Sequence, residues 1–215
     1  MATSAQEHSS LPYHGSCHCG FIRYIAFIPL PPAVALGPDV ATGSRARFYK
    51  CNCSTCHKMG LFHMRLPDAP SQFFLLSPLD RDTLANYKCF KRHVDWFFCP
   101  TCGVRCFSAV ARWKQDEIDV KRFSAALSNS ADKPNLPGIE ESTKTVTVWR
   151  VNPDGYQEDV TGYLSINALT VDQDQAHGDP LDLRQLVDKK WVEYLGWKGP
   201  TLDSRYDYPH DSGTW

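Results

Sequence analysis

Residues 99–103 read CPTCG, a Cys-x-x-Cys turn closed by a glycine, and this motif is the strongest indication of the fold. Such a turn curls two thiolates inward on one metal ion, and glycine permits the tight backbone. A tetrahedral site takes four donors. Cys17 and Cys19, within GSCHCG at residues 15–20, can supply the other two. A Cys-x-Cys pair in a strand has both side chains on one face, so the two pairs are predicted to pin the ends of a sheet together.

A further cysteine group, CNCSTC at residues 51–56, offers three donors: Cys51, Cys53 and Cys56. Three protein ligands leave one coordination position open for water or substrate, which is the pattern of catalytic zinc. The alternative is a fourth ligand that closes the site, such as His57 or His63. His57 directly follows Cys56 and would have difficulty turning back to the same metal. His18 is interpreted as a spacer, and no carboxylate or histidine stands out as a general base.

Nine cysteines are present, and the two outside these groups, Cys89 and Cys106, are predicted to be small buried residues. The first ten residues have no basic or long apolar segment, so no secretory signal is expected. In a reducing compartment, clustered thiols are metal ligands more often than disulfides, and an odd total does not suit a fully paired disulfide framework. The alternative is a reduced, metal-free set of buried cysteines.

Length and composition limit the class of protein. The chain has 215 residues, a net charge of −1, 42% hydrophobic and 22% charged residues, so it can bury a real core and is not expected to be disordered. Near-neutrality argues against a general nucleic-acid binder. No apolar stretch approaches the roughly 18 residues of a membrane helix.

Most of the chain is predicted to be β-structure, because short aromatic and β-branched runs alternate with Pro and Gly. One helix is predicted over residues 181–195, where apolar residues recur on one side, with a strand as the alternative. Residues 124–141 are polar and predicted to be a loop insertion. The predicted strands are residues 21–28, 45–50, 73–76, 84–90, 94–98, 104–110 and 145–151.

Basic residues are concentrated around the three-cysteine group. Residues 40–66 contain five basic side chains and no acid. One interpretation is a solvated face. The other is a cationic rim that attracts a small anion and lowers thiol pKa values. The five side chains are Arg45, Arg47, Lys50, Lys58 and Arg65.

Three motifs together resemble the glutathione-dependent formaldehyde-activating enzyme family, whose domain also occurs in centromere protein V. They are GSCHCG at residues 15–20, CNCSTCHKMG at 51–60 and FCPTCG at 98–103, in that order. The resemblance covers residues 13–199, including SINAL at 165–169 and a closing segment at 191–199. It implies a mainly β, Mss4-like antiparallel fold built around cysteine turns, with few short helices and two zinc ions.

The resemblance also implies the assignment of ligands and of domains. Cys17, Cys19, Cys99 and Cys102 would hold a structural zinc, and Cys51, Cys53 and Cys56 an open second zinc. Residues 1–12 are expected to be a disordered polar tail and 200–215 an extended C-terminal tail. Residues 13–199 are expected to form a single domain. Within it, the segment at about 111–147 is longer than in a minimal family member, which leaves the substrate open.

The function implied is a carbon–sulfur lyase that joins glutathione to formaldehyde. A first alternative keeps the zinc site and changes the substrate to another thiol, carbonyl compound or specialised metabolite, as the insertion suggests. A second alternative is a non-catalytic zinc module that binds a protein or nucleic acid. The sequence argues against this alternative, because it contains no long basic arm. The expected partners are a small thiol and a carbonyl compound, without a membrane. A cytoplasmic location is expected, and a homodimer is an open alternative.

Overall fold

The computed structural model describes residues 10–37, 41–89, 91–123, 144–197 and 199–211. Over these residues the protein is mainly β, as predicted, with two sheets and four short helices. The helices are α1 (Ala33–Leu36), α2 (Ser54–Met59), α3 (Ala69–Gln72) and α4 (Leu183–Asp188). The strands are β1 (Leu11–Ser16), β2 (Arg23–Ile28), β3 (Arg47–Cys51), β4 (His63–Arg65), β5 (Phe73–Ser77), β6 (Ala85–Tyr87), β7 (Asp95–Phe98), β8 (Phe107–Val110), β9 (Trp113–Asp119), β10 (Thr145–Val151), β11 (Tyr163–Asn167), β12 (Val192–Gly196) and β13 (Asp203–Arg205).

The strands form a five-stranded sheet and an eight-stranded sheet within the described residues. The first has the order β1-β2-β5-β10-β9 and is antiparallel throughout. The second has the order β13-β12-β3-β4-β11-β8-β7-β6. Its pairs are antiparallel except β12 with β3, which run parallel with Leu195 opposite Cys51. The expectation of an antiparallel fold therefore holds for every pair but this one, and the larger sheet is mixed.

The main core lies between the two sheets, and alternation along the strands fixes which side chains enter it. On β5, Phe73 and Leu75 belong to the main core, whereas Phe74 and Leu76 belong to a second cluster on the opposite face. Strand side chains alternate in this way because successive residues point to opposite faces. The Phe73 ring lies 5.4 Å from Tyr24 in its own sheet and 5.3 Å from Phe107 in the other. The five-stranded sheet is thus buried on both faces.

The prediction of one helix over residues 181–195 was wrong beyond its first half. Helix α4 begins after Asp182, whose side chain accepts a hydrogen bond from the Gln185 N–H, and ends at Asp188. Lys190 then adopts a left-handed backbone with φ of 57°. The chain turns back as β12, which buries Val192 and Leu195 beside β3. Pairing with β3 therefore overrides the helical periodicity of the second half.

Two predicted boundaries also differ from the structure. The tail expected over residues 1–12 overlaps β1, which begins at Leu11, and residues 1–9 lie outside the described residues. The segment at 111–147 begins and ends as the paired strands β9 and β10, with Val120–Phe123 as a short 3₁₀ turn. The loop predicted at 124–141 lies outside the described residues. In the expected C-terminal tail, β13 pairs with β12.

None of the helices in the described part of the chain has the length and apolar character that a membrane span requires.

Candidate metal centres

Two hairpin turns with similar hydrogen bonds carry the four-cysteine group. In the first turn the Cys17 N–H donates to Ile22 O, and the Gly20 N–H donates to Cys17 O. In the second, Cys99 N–H donates to Val104 O and Gly103 N–H to Cys99 O. Both glycines have positive φ, at 75° and 74°, a conformation that side chains with a Cβ rarely adopt. In each turn, glycine therefore permits the backbone conformation that points the cysteine sulfurs inward.

The four sulfurs have the spacing of a tetrahedral metal site. All of them lie within 4.8 Å of one another. The Cys17–Cys19 Sγ distance is 3.7 Å and the Cys19–Cys99 distance is 3.5 Å. Metal–sulfur bonds of about 2.3 Å at tetrahedral angles place sulfurs about 3.8 Å apart. The Ile22 N–H also donates to Cys17 Sγ over 3.2 Å, which stabilises a thiolate there. These residues could hold a metal ion.

This centre joins the two sheets to each other. Cys17 and Cys19 follow β1 in the β1–β2 turn of the five-stranded sheet, and Cys99 and Cys102 lie between β7 and β8 of the eight-stranded sheet. The expectations that the Cys-x-Cys pair lies within a strand and that both pairs pin one sheet were therefore wrong. The turn achieves the same convergence, because Gly20 reverses the chain before β2 begins.

The three-cysteine group is built where β3 passes into α2. Cys51 is the last residue of β3, Cys53 is the N-cap of α2, and Cys56 lies inside the helix. The Cys53 sulfur accepts from the Cys56 N–H, and the Cys51 sulfur accepts from the Cys53 N–H, both over 3.4 Å. Asn52 fixes the connection to β12, since its N–H donates to Leu195 O and its side-chain oxygen accepts from Trp197 N–H.

The three thiols influence one another's ionisation, and this favours a cation between the sulfurs. The three sulfurs lie within 4.8 Å of one another. Hydrogen bonds from Cys51 and Cys56 lower the pKa of Cys53 far below its usual range. Hydrogen bonds with Cys51 and Cys53, followed by burial, raise the pKa of Cys56. One thiolate thus forms readily and further ionisation needs a positive partner, which a metal ion supplies. This group also could hold a metal ion, with three sulfur ligands.

His63, which the sequence suggested as an alternative fourth ligand and not as a general base, lies beside the three-cysteine group. It is only 2% exposed on β4, and its Nε2 lies 3.1 Å from Cys56 Sγ. Its Nδ1 lies 2.7 Å from Ser165 Oγ on β11, and its ring stacks on Tyr49 at 4.4 Å. Burial, followed by the charge of Arg65, lowers the pKa of His63 to about 3. The imidazole is therefore neutral at physiological pH.

The tautomer of His63 follows from its two partners. When Cys56 is a thiolate, Nε2 carries the proton and donates to the sulfur, and Nδ1 accepts from the Ser165 hydroxyl. The cluster of ligand atoms within 4.8 Å of one another comprises the three sulfurs and does not extend to His63. His63 therefore orients Cys56 from outside the cluster. Tyr49 and His63 are register partners on neighbouring strands, and no signal in the sequence indicated this contact, because register cannot be derived from sequence spacing alone.

Of the five basic residues in the segment 40–66, interpreted either as a solvated face or as a cationic rim, two pair with acids in the structure. Arg47 pairs with Glu193 at 2.6 Å, and Arg65 pairs with Glu158 and Asp159. These acids come from distant parts of the chain. A cationic cleft of about 780 Å³ lies beside α2, with four basic residues and no acid in its lining. One of the four, Lys88, pairs with Asp95 outside the lining at 2.8 Å. The basic residues are Lys58, Lys88, Arg92 and Arg105.

The remaining cysteines and histidines near these centres are separate from them. Cys106 is fully buried, and burial raises its pKa, which keeps it a thiol. Cys89 is half-buried in the lining of the cationic cleft, with its sulfur 3.8 Å from Thr55 Oγ1, so the prediction of a buried residue describes Cys106 better. His18 and His57 are exposed.

Comparison with known proteins adds little to these observations. No family model matches the chain, and no curated protein matches it. A crystal structure of a Rhodobacter sphaeroides protein, a structural-genomics target, is 14% identical and covers 80% of this chain and 94% of its own, with a TM-score of 0.40. Fold and cysteine centres together describe a mainly β protein with two candidate metal sites.

Proposed function

We propose that this protein is a zinc-dependent enzyme that adds an anionic thiol, such as glutathione, to a small aldehyde. The activity would be of the carbon–sulfur lyase type, as in the formaldehyde-activating family that its motifs resemble. The observation that carries the proposal is the three-cysteine group, whose sulfurs converge without a fourth protein ligand among the described residues. Sulfur-only ligand sets favour zinc over harder cations.

The four-cysteine centre has a structural role in this proposal. Its ligands come from two sheets, so a bound zinc holds the turns in register, and the energy of metal binding becomes folding energy. The three-cysteine centre, on one short segment, is free to serve the reaction. Bound there, zinc would favour the thiolate form of a thiol substrate and polarise a carbonyl oxygen.

The residues around the three-cysteine centre have distinct roles in the proposed reaction. His63 and Asn52 orient the ligand segment, the first through Cys56 and the second through β12. The cationic cleft binds the carboxylates of the thiol substrate, and Met59 both lines this cleft and packs against the cysteine cluster. In the reaction, the thiol sulfur forms a bond to the carbonyl carbon, and the thiol proton ends on the carbonyl oxygen.

The proposal is tested by measuring zinc content, thiol binding and hemithioacetal formation on the same preparation. Calorimetry should detect glutathione binding to zinc-loaded protein, and higher salt should weaken it, since attraction between charges is screened over about 8–10 Å. Lys58→Gln, which removes one charge from the cleft, should weaken binding. Lys144→Gln, at an exposed position outside this cleft, is the matched control. Absence of thiol binding to zinc-loaded protein would favour the non-catalytic zinc module.

A further inference from the structure

A second cleft borders the three-cysteine centre, and its lining differs from that of the cationic cleft. Its volume is about 420 Å³. Two aromatic rings, Trp96 and Tyr163, face it together with Val94, Val110 and Val160. Typical small-molecule sites have about 300–1,000 Å³ and mostly apolar, aromatic linings. The cleft therefore has the size and surface of a ligand site.

Both aromatic rings connect this cleft to the proposed reaction centre. Trp96 packs against the cysteine cluster, and its ring lies 6.4 Å from the His63 ring in an edge-to-face arrangement. The Tyr163 hydroxyl lies 3.1 Å from the Tyr49 hydroxyl, and the Tyr49 ring stacks on His63. Each ring of the cleft thus contacts a residue that packs around Cys56, Trp96 contacting His63 and Tyr163 contacting Tyr49, so a molecule in the cleft would lie beside these residues.

This cleft has no excess of positive charge, in contrast to the cationic cleft, because the neighbouring Arg65 pairs with both Glu158 and Asp159. Its one acidic residue, Asp159, pairs with Arg65 at 2.8 Å, and the Arg65 guanidinium stacks over Tyr163 at 4.0 Å from the ring centroid. Its other polar side chains are those of His93, Thr161 and Tyr163. A neutral molecule suits this cleft better than an anion, because no net charge stabilises one.

The rim of the cleft is held in place before any ligand binds. Its loop at residues 157–162 is closed by Gln157 O, which accepts hydrogen bonds from the Val160, Thr161 and Gly162 N–H groups. The Asp159 N–H in turn donates to Gly162 O over 2.8 Å. Little loop ordering is then needed on binding, which favours affinity. Yet this loop leaves Val160 75% exposed at the mouth.

Formaldehyde would leave nearly all of this cleft empty. A water molecule takes about 30 Å³ in the liquid, and formaldehyde has only two heavy atoms. We infer that the carbonyl substrate of the proposed reaction is an aromatic aldehyde, whose ring occupies the cleft lined by Trp96 and Tyr163. Ring pairs at edge-to-face or offset geometry contribute beyond their buried area. This inference rests on the proposed function and names the substrate class of that site. The thiol sulfur bonds to the aldehyde carbon, and the thiol proton moves to its oxygen.

Two measurements test the inference separately from the reaction. Benzamide, an aromatic carbonyl compound that does not add thiols, is titrated into zinc-loaded protein and followed by ligand-observed NMR. Thiol addition to benzaldehyde and to formaldehyde is then measured against the uncatalysed blank. We expect benzamide to bind, and kcat/KM for benzaldehyde to exceed that for formaldehyde.

Variants of the cleft provide the specific control. Val94→Trp fills it and should lower kcat/KM for benzaldehyde about tenfold more than for formaldehyde. Val160→Asp, at the exposed mouth, should weaken benzamide binding without a change in core packing. Val187→Trp, at an exposed position on α4, is the matched control for added indole surface and should change neither.

The outcomes distinguish the two claims. Catalysed addition to formaldehyde with no binding of benzamide and no catalysis with benzaldehyde would overturn the inference and leave the proposed function intact. Benzamide binding that Val160→Asp weakens, with no catalysed addition to either aldehyde, would show that the proposed reaction is wrong, and the aldehyde assignment would fall with it.

Discussion

Replacing Cys99 with alanine should destabilise the fold more than replacing Cys53, because the two cysteines close loops of different length. Cys19 and Cys99 are 80 residues apart in sequence and their sulfurs lie 3.5 Å apart. The three-cysteine centre closes only residues 51–56. Both variants lose one metal ligand. The difference between their free energies of unfolding therefore reports mainly the length of chain that each metal restrains.

The magnitude follows from loop-closure entropy. This entropy grows as (3/2)RT ln n, so loops of 80 and 6 residues differ by about 2 kcal/mol. For a domain of this size, 1 kcal/mol shifts the melting temperature by about 2–4 °C. Cys99→Ala should therefore melt roughly 4–8 °C below Cys53→Ala. Cys53→Ala should stay folded, lose the more weakly held zinc and lose the proposed activity.

Thermal unfolding and zinc analysis of both variants beside the wild type are the measurements. Cys106→Ala is the matched control, since Cys106 is as fully buried as Cys99 and is not among the clustered sulfurs. It separates the loss of a buried sulfur atom from the loss of a ligand. Equal destabilisation by Cys53→Ala and Cys99→Ala would mean that the second centre is structural too, and the open coordination position would have no support.

Three further outcomes are expected. Mild chelation should release zinc in two phases, the three-sulfur centre first, since it offers fewer ligands; single-phase loss would contradict this. His63→Ala should weaken metal binding at the three-cysteine centre about 10–100-fold, as loss of a group that orients a ligand typically does, whereas unchanged affinity would exclude an orienting role. At His14, burial opposes the charge, but the hydrogen bonds and negative charges of Asp172 and Asp174 together outweigh it and raise the pKa. Stability from this histidine is therefore complete below about pH 6.5 and is lost as pH rises through the folded pKa. The wild type should exceed His14→Gln in melting temperature by more at pH 5.5 than at pH 8.5. An equal difference in melting temperature at the two pH values would refute this prediction. The charged and titratable groups facing His14 are Asp172, Asp174 and His177.

Those features of the protein that depend on local geometry could be predicted from its amino-acid sequence. CPTCG at residues 99–103 folds as the predicted turn because its glycine and cysteine spacing constrain only a few residues. The strands at 73–77 and 145–151 match their predictions closely, since alternation is a local property. The grouping of cysteines into four and three also followed from spacing and resemblance.

Tertiary structure decided whatever depends on strand register and on charges from distant segments. His63 lies beside Cys56 because β3, β4 and β11 pair in one register, and a shift of one residue would point it to the other face. The acid-free segment at 40–66 is neutralised at Arg47 and Arg65 by acids more than 90 residues away. Lys58 instead joins Lys88, Arg92 and Arg105 in one cleft. The sequence shows which charged residues are neighbours along the chain. The electrostatic potential at a site instead depends on all charged residues that the fold brings close in space.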